Sequence, residues 1–490
     1  MTTQTSTASQ IVLDAVPTDL LIGGRWVAAT GGGTFAVDDP ATGRLLLDVA
    51  DAEPEDGMAA LDAAASAQDA WAESPPRERA ELLRTAFDTL ISRRDEFAML
   101  MTLEMGKPLA EAHAELDYGA DFLRWFSEEA VRIDGGFMRS PNGRGRLIVM
   151  RQPVGPCLLI TPWNFPLAMA TRKIAPAIAA GCTSIIKPAA QTPLTTLLFA
   201  KLLQDCGLPD GVVNVLTTTK AAAVTGPLID DGRVRKLSFT GSTDVGRGLM
   251  ERAAKQILRT SMELGGNAPF LVFEDADLDA AVDGAVLAKM RNMGEACTAA
   301  NRFYVARPIA EEFGRRLAGR LSDMRLGHGL DADTQVGPLV DQPSLDKVHS
   351  MVRDAVDKGA RVLTGGDVRG GEGFFYQPTV LADVPDDATL LDEEIFGPVA
   401  PVIPFDDEAE AVRRANSTEY GLVAYVFTRE LARAMRVSEA LKVGMVGLNQ
   451  GVVSNAAAPF GGVKASGVGR EGGFEGIKEY LDTKYVAVSP

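Results

Sequence analysis

Cysteine and histidine are scarce in this sequence of 490 residues, which contains four cysteines and three histidines. The cysteines are scattered and form no C-x-x-C pair, which excludes a compact disulfide framework and a zinc knuckle. They are Cys157, Cys182, Cys206 and Cys297. None of the histidines lies in a recognisable catalytic motif, so we expect a reactive cysteine here to act without a Cys–His pair. No metal site is predicted.

Positive charge and long apolar runs are also lacking. The net charge is −17, which argues against a nucleic-acid partner because phosphate backbones bind to a basic face. No apolar run reaches the roughly 18 residues that a membrane helix needs. The first basic residue is Arg25, and an N-terminus without a basic region is not a signal peptide. These features favour a cytoplasmic protein.

The chain is long enough for two or three domains. Residues 1–10 are expected to be disordered. Short strands are predicted within 19–29 and 34–48, and a helical region over 54–132 with a break at Pro75 and Pro76.

Strands then alternate with helices, a pattern that predicts parallel, doubly wound sheets. In the first such region, strands are predicted at 156–160, 183–186, 212–216 and 237–240, and helices at 167–180, 193–205 and 242–256. A second α/β region starts at residue 302, with helices predicted at 309–324, 346–358 and 408–415. Segments 144–151 and 480–488 are strand-like, and the second is expected to pair with the first or with another subunit.

The one G-x-G-x-x-G in the chain, Gly467 to Gly472, does not predict a dinucleotide site. Such a motif must follow a strand, open a helix and precede an acidic residue by about 20 positions. Too little chain remains after Gly472 for that unit, so we interpret the segment as a flexible glycine-rich turn.

The stretch M-R-N-M-G-E-A-C-T-A-A-N-R, residues 290–302, contains the most promising cysteine. Small neighbours leave the sulfur of Cys297 open, and the stretch lies between a predicted helix at 277–289 and a predicted strand at 302–305. Cys297 is therefore expected on a turn, where reactive groups often lie. The alternative is a small buried hydrophobic residue, which is what most free cysteines are.

Two further motifs contain candidate catalytic groups. Asn164, in I-T-P-W-N-F-P, carries an amide that could stabilise an oxyanion, or could cap the next helix. Glu263, in M-E-L-G-G-N, is a candidate general base with a raised pKa, or a solvated loop acid.

Three motifs are candidates for nucleotide contacts. Lys187, in I-K-P-A-A-Q-T-P, ends a predicted strand where a nucleotide ribose would lie, with no acid nearby. Gly241 and Ser242, in F-T-G-S, start a helix, as a phosphate site or as a plain N-cap. Glu394 and Phe396, in E-E-I-F-G-P, could hold a ribose and flank a nicotinamide, or form a turn after a helix.

In this order, P-W-N, K-P-A, F-T-G-S, E-L-G-G, G-x-x-C and E-I-F-G-P resemble the aldehyde dehydrogenase superfamily over almost the whole chain. The resemblance implies an α/β fold with a Rossmann-type cofactor domain (1–132 and 152–262), an α/β catalytic domain (263–465) and a small β oligomerisation ribbon with the tail (133–151 and 466–490). It also implies a homo-oligomer, dimeric or tetrameric.

The resemblance implies roles for single residues as well. Cys297 would be the nucleophile, Glu263 the base and Asn164 the oxyanion donor. A thiohemiacetal on Cys297 would be oxidised to a thioester, which water activated by Glu263 would hydrolyse. The implied cofactor contacts are Thr161, Pro162, Trp163, Asn164, Lys187, Pro188, Ala189, Ala190, Gly241, Ser242, Leu264, Glu394 and Phe396.

Arg172, Arg291 and Ser454 resemble the positions that hold the distal carboxylate in succinate-semialdehyde dehydrogenases. The planar donors of arginine suit a carboxylate, so a small anionic semialdehyde is expected as the substrate. Glutarate semialdehyde, one methylene longer, is a close alternative because one methylene changes discrimination by only about 10- to 200-fold. The alternative reading of the two arginines is surface ion pairing.

The absence of an acid beside Lys187, and the space left by Ala190, predict the use of NADP alongside NAD. An acid at this position would instead favour NAD, because it would repel a 2′-phosphate. Ala299 stands where some relatives carry a second cysteine, so no local disulfide switch is predicted. Glu295 is often glutamine in relatives, and its effect is not predicted. The rival hypotheses are an enzyme that transfers the acyl group to coenzyme A, which would not need Glu263, and a non-catalytic protein that binds NADP.

Overall fold

The computed structural model describes residues 7–489. The strands in chain order are β1 (Leu20–Ile22), β2 (Arg25–Val27), β3 (Thr34–Asp39), β4 (Arg44–Ala50), β5 (Gly136–Arg139), β6 (Arg146–Pro153), β7 (Cys157–Ile160), β8 (Ser184–Lys187), β9 (Val213–Val215), β10 (Lys236–Thr240), β11 (Arg259–Glu263), β12 (Ala268–Val272), β13 (Ala300–Ala306), β14 (Arg361–Thr364), β15 (Thr379–Ala382), β16 (Val399–Phe405), β17 (Val423–Phe427), β18 (Met445–Leu448), β19 (Gly467–Val468) and β20 (Leu481–Val488).

The α-helices are α1 (Thr7–Asp14), α2 (Pro54–Glu73), α3 (Pro76–Ser92), α4 (Arg94–Met105), α5 (Leu109–Glu129), α6 (Pro166–Ala180), α7 (Leu194–Asp205), α8 (Ala221–Asp230), α9 (Thr243–Ala254), α10 (Leu278–Met290), α11 (Arg307–Ser322), α12 (Gln342–Asp357), α13 (Thr389–Asp392), α14 (Glu408–Asn416), α15 (Leu431–Ala440) and α16 (Gly473–Lys478). Helix α1 shows that the prediction of disorder was wrong for residues 7–10, while residues 1–6 lie outside the described part. None of the helices within residues 7–489 is long and apolar enough to cross a bilayer.

The first sheet has the order β19-β11-β10-β7-β8-β9-β1-β2. Its central strands run parallel, as the alternation of strands and helices predicted. The strand β11 was not predicted because R-T-S-M-E lacks an apolar alternation. It pairs in parallel with β10, and Glu263 therefore ends a sheet strand instead of lying in a loop. Helix α8 was also missed.

The second sheet has the order β14-β15-β16-β13-β12-β17-β18. Strands β12, β13, β16, β17 and β18 run parallel, and β14 is an antiparallel edge. Two parallel sheets confirm the predicted α/β fold class.

The third sheet is a ribbon in the order β20-β6-β5. Strand β20 pairs antiparallel with β6, from Leu481 opposite Pro153 to Val488 opposite Arg146. Of the two expected partners for the tail, the ribbon of the same chain is therefore confirmed.

The Gly467 to Gly472 segment contains β19, which pairs antiparallel with the end of β11, Gly467 opposite Glu263. It does not join a parallel strand to a nucleotide-binding helix, in agreement with the interpretation that it is not a dinucleotide motif. A Cβ on Gly467 would lie 1.8 Å from the Met262 carbonyl oxygen, so only glycine fits this approach.

Candidate active site

A cavity lies at the carboxyl ends of strands of the first sheet, where ligands bind in open α/β sheets. The structure brings ten of the predicted residues together in its wall: Pro162, Trp163, Asn164, Gly241, Ser242, Glu263, Leu264, Cys297, Glu394 and Phe396. The sequence reasoning missed further lining residues: Met169, Thr240, Gly265, Ser344 and Lys347. Thr240 and Gly265 lie inside the motifs F-T-G-S and E-L-G-G but were given no role, whereas Met169, Ser344 and Lys347 lie outside the quoted motifs. Larger surface hollows elsewhere do not contain these groups.

Cys297 lies on the predicted turn, between a short 3-10 segment (Arg291–Gly294) and β13. The segment is sharply bent, with positive φ at Asn292 and Met293. Gly294 has φ +80°, and a Cβ there would come within 2.2 Å of the Gly397 carbonyl oxygen. This packing joins the cysteine turn to the loop that contains Glu394 and Phe396.

Cys297 is partly exposed as a residue, and a nucleophile must be reachable. Burial of its surroundings nevertheless raises the pKa of the Cys297 thiol to about 12, and Arg172 only partly opposes this shift. The thiol is therefore protonated at neutral pH in this state, so a nucleophilic reaction requires a group that removes the proton.

Asn164 does not cap the following helix, because the N-cap position of α6 is Phe165 and no side chain caps it. The Asn164 side-chain amide instead donates to the Glu295 carbonyl oxygen at 3.0 Å. The Asn164 carbonyl oxygen accepts from Lys107 Nζ at 2.8 Å and from Asn292 Nδ2 at 3.1 Å. Asn164 is thus fixed to the cysteine turn on both its backbone and its side chain.

Glu263 is 3% exposed, and neither carboxyl oxygen has a hydrogen-bond partner among the described residues. Burial, and then the nearby Glu471, raise the pKa of Glu263 well above its ordinary value. The alternative of a solvated loop acid is therefore wrong. A Cβ on Gly461 would lie 2.8 Å from Glu263 Oε1, so this glycine leaves the space that the carboxyl occupies.

A buried ion-pair network next to Glu263 was not predicted. Glu471 contacts both Arg172 Nε and Lys173 Nζ. Burial alone would raise the pKa of Glu471, but Arg172 and Lys173 outweigh it and hold the pKa below its ordinary value. Glu471 comes from the far C-terminal part of the chain, so no local sequence signal pointed to it.

Arg172 and Arg291 have different surroundings. The guanidinium of Arg172 is paired with Glu471 and lies 4.4 Å from the centre of the Phe460 ring. Arg291 Nη1 donates to Ser454 Oγ at 3.0 Å, and within residues 7–489 no carboxylate lies within 4.0 Å of it. The alternative of surface ion pairing is therefore wrong for Arg291. It is also wrong for Arg172, whose ion pair is buried, since the residue is only 1% exposed.

Lys187 ends β8 and is mostly buried. Burial lowers the pKa of Lys187 to about 8. Its amine forms no hydrogen bond or ion pair with the described residues, and a buried amine without an anionic partner suits a bound anion. Thr161, Pro188, Ala189 and Ala190 adjoin it: the Thr161 backbone N–H donates to the Lys187 carbonyl oxygen at 3.2 Å.

Within the cavity wall, the Gly266 backbone N–H donates to Glu394 Oε1 at 3.3 Å, and burial raises the pKa of Glu394 to about 7. The rings of Trp163 and Phe396 meet edge to face at 5.3 Å. Ser242 is the N-cap residue of α9, but its side chain makes no capping hydrogen bond and remains available to a ligand.

Residues 26–486 match the aldehyde dehydrogenase family, and the chain belongs to this family, which confirms the resemblance seen in the sequence. The chain is 58% identical to a succinate-semialdehyde dehydrogenase of Paenarthrobacter nicotinovorans, over 91% of this chain and 99% of that protein. It is 48% identical to a glutarate-semialdehyde dehydrogenase of Pseudomonas putida, over 96% and 97%. The crystal structure of an NADP-dependent enzyme of Escherichia coli superposes with a TM-score of 0.96 at 48% identity, covering 97% of this chain and 99% of that chain.

Proposed function

We propose that this protein oxidises succinate semialdehyde to succinate with NADP⁺, and with NAD⁺ as a second cofactor. The observation that carries the proposal is an arginine without a carboxylate partner, Arg291, in the same turn region as the candidate nucleophile Cys297. A buried or half-buried cation that the protein does not neutralise favours an anionic ligand. The similarity to proteins named succinate-semialdehyde dehydrogenase supports the same substrate.

In this proposal Cys297 attacks the aldehyde carbon, and its proton leaves to a water molecule. The amide of Asn164 and the backbone N–H of Cys297 stabilise the oxyanion. Oxidation leaves a thioester on Cys297. Glu263 then accepts a proton from the water that hydrolyses it, and its raised pKa, caused by burial, suits a general base.

The residues around the cavity fit a nicotinamide dinucleotide, which supplies the hydride acceptor when bound. Lys187 offers an uncompensated buried amine for a 2′-phosphate, and the segment from Lys187 to Pro193 contains no acid that would repel it. The open N-terminus of α9 at Gly241 and Ser242 suits a diphosphate. Glu394 would hold a ribose hydroxyl. Contacts are also proposed for the residues around these groups: Thr161, Pro162, Trp163, Asn164, Pro188, Ala189, Leu264 and Phe396.

The distal carboxylate of the substrate is proposed to bind Arg291, Ser454 and the free edge of Arg172. Glutarate semialdehyde is the second candidate, supported by the similarity to a protein named for that activity. The same three groups would hold its carboxylate, so the two substrates differ only in chain length.

We also propose the domain division 1–132 with 152–262, 263–465, and 133–151 with 466–490, a cytoplasmic location and a homodimer or homotetramer. The ribbon of β5, β6 and β20 supports an oligomer, because Phe137 is 72% and Tyr485 60% exposed there. Large exposed apolar side chains on a sheet edge favour association.

The test is NADPH formation with succinate semialdehyde, glutarate semialdehyde and butanal. Butanal has the same chain length as succinate semialdehyde but a methyl group in place of the carboxylate. We expect kcat/KM for succinate semialdehyde to exceed that for butanal by at least about 100-fold, since a buried charged hydrogen-bond pair contributes roughly 1.5–3 kcal/mol per bond. Equal values for the two would reject the proposed substrate. Omission of coenzyme A from the assay separates hydrolysis from acyl transfer, because only hydrolysis continues without it.

A further inference from the structure

Tyr118 lies at the substrate end of the site, and neither the sequence motifs nor the proposed roles above include it. Its ring is partly exposed, but its hydroxyl oxygen is buried and forms no hydrogen bond of standard geometry with the described residues. A buried hydroxyl without a partner is costly, whereas phenylalanine at such a position would carry no unsatisfied group. Unpartnered buried hydroxyls in a native site call for a physical reason.

The helix packing holds Tyr118 in place. A Cβ on the next residue, Gly119 in α5, would lie 3.2 Å from the Ala168 Cα in α6, so the two helices approach closely at this point. The Tyr118 ring meets Phe122 edge to face at 5.0 Å. Its position is therefore determined by rigid elements and not by a loop.

Tyr118 also lies between the candidate nucleophile and the protein surface. On one side its ring packs against a small apolar cluster: Phe165, Ala168, Met169, Ala296 and Ala299. Of these, Ala296 and Ala299 flank Cys297 in the sequence. On the other side Tyr118 lines a surface hollow together with Ser454 and Asn455.

The polar groups around the Tyr118 hydroxyl are donors. The Arg291 guanidinium lies 5.7 Å from the centre of the Tyr118 ring. Arg172 Nη2 is buried and has no hydrogen-bond partner in residues 7–489. Burial raises the pKa of Tyr118, and both arginines oppose this shift, Arg172 also as a hydrogen-bond donor to the hydroxyl. This contact does not have the geometry of a full hydrogen bond, and a hydroxyl that accepts from Arg172 still has its own proton to donate. Guanidinium groups only donate, so these groups together suit a ligand with several acceptor atoms, and a carboxylate offers about four lone-pair sites.

We propose that Tyr118 is a specificity-determining residue whose hydroxyl donates a hydrogen bond to the distal carboxylate of the semialdehyde, beside Arg291 and Ser454. This inference rests on the proposed function and deepens it. Tyr118 thereby selects substrates with an anionic end, and it takes no part in the chemistry at Cys297.

The test compares Tyr118→Phe with Tyr376→Phe on the full-length protein. Tyr376 is the matched control, because its hydroxyl is also buried without a partner but packs within the core of the second sheet. Each variant is assayed with succinate semialdehyde and with butanal, at saturating NADP⁺.

For Tyr118→Phe we expect kcat/KM with succinate semialdehyde to fall roughly 10- to 100-fold, mainly through KM, as for the loss of a hydrogen bond to a charged group. With butanal, and for Tyr376→Phe with both substrates, we expect changes below about threefold. Equal losses with both substrates, or no loss with either, would overturn the role of Tyr118. A parent enzyme that does not prefer succinate semialdehyde to butanal would instead reject the proposed function itself, so the two failures are distinguishable.

Discussion

Replacing Arg291 with methionine separates recognition of the carboxylate from the chemistry. Arg291 has no carboxylate within 4.0 Å in the described part of the chain, and its hydrogen bond to Ser454 is the only one its guanidinium makes there. Methionine keeps much of the apolar volume that packs near the Phe165 ring. The substitution therefore removes the charge without leaving a buried carboxylate unpaired.

The expected magnitude follows from the lost contact with the substrate. A hydrogen bond to a charged group contributes about 1.5–3 kcal/mol, and an arginine can form two with one carboxylate. The loss of one bond should therefore lower kcat/KM for succinate semialdehyde about 10- to 150-fold, and the loss of both about 150-fold or more. The loss should appear in KM with kcat nearly unchanged, because the carboxylate is held equally in the ground state and the transition state. Lysine at position 291 should restore part of the activity, since it keeps the charge but not the planar pair of donors.

Arg172→Met is the informative contrast. It leaves Glu471 without one of its two cationic partners, and breaking a buried ion pair costs about 3–5 kcal/mol of stability. Because Glu471 raises the pKa of Glu263, this variant should lose activity with butanal as well as with succinate semialdehyde. The measurement is kcat and KM for both aldehydes, with Tm as a control for folding. A fall of kcat/KM for butanal in Arg291→Met as large as for succinate semialdehyde would refute the reasoning.

Three further predictions concern other parts of the site. Because the pKa of Lys187 is about 8, its amine loses its charge as the pH rises through that value. The affinity for NADP⁺ should therefore weaken between pH 7 and 9, by up to about tenfold per pH unit above the pKa, while the affinity for NAD⁺ changes less. Equal pH profiles in fluorescence titrations of the two cofactors would contradict this. Glu295→Gln should keep kcat within about threefold, since burial raises the pKa of Glu295 well above its ordinary value. Glutamine can also still accept from the Val340 backbone N–H, as Glu295 Oε1 does at 3.1 Å. A loss of kcat above tenfold would show that the carboxyl must ionise. Gly461→Ala should displace the Glu263 carboxyl, because the new Cβ would lie 2.8 Å from Glu263 Oε1. Steady-state turnover should then fall at least about tenfold, while the first-turnover burst of NADPH persists. A burst that falls as much as the steady-state rate would place the damage before formation of the thioester.

Much of the site was predictable because each motif follows a strand or opens a helix. The carboxyl ends of parallel strands meet at one edge of a sheet, so Asn164, Lys187 and Ser242, which follow neighbouring strands, had to lie near one another once the strands were recognised. Cys297 was predictable for a different reason, since its small neighbours and its position before a strand are local properties. The local environment of Glu263 was not predictable, because β11 has no apolar pattern and its burial depends on strands from distant parts of the chain.

The sequence by itself determined the family, the order of the motifs and the identity of the groups that can react, because these depend on residue types and short-range spacing. Only the tertiary structure decided which of the two arginines is neutralised. Arg172 and Glu471 are far apart in the chain and come together through the packing of α6 against the C-terminal segment, whereas Arg291 has no such partner in residues 7–489. Charge compensation depends on three-dimensional distance and burial, and neither is encoded in the letters around an arginine.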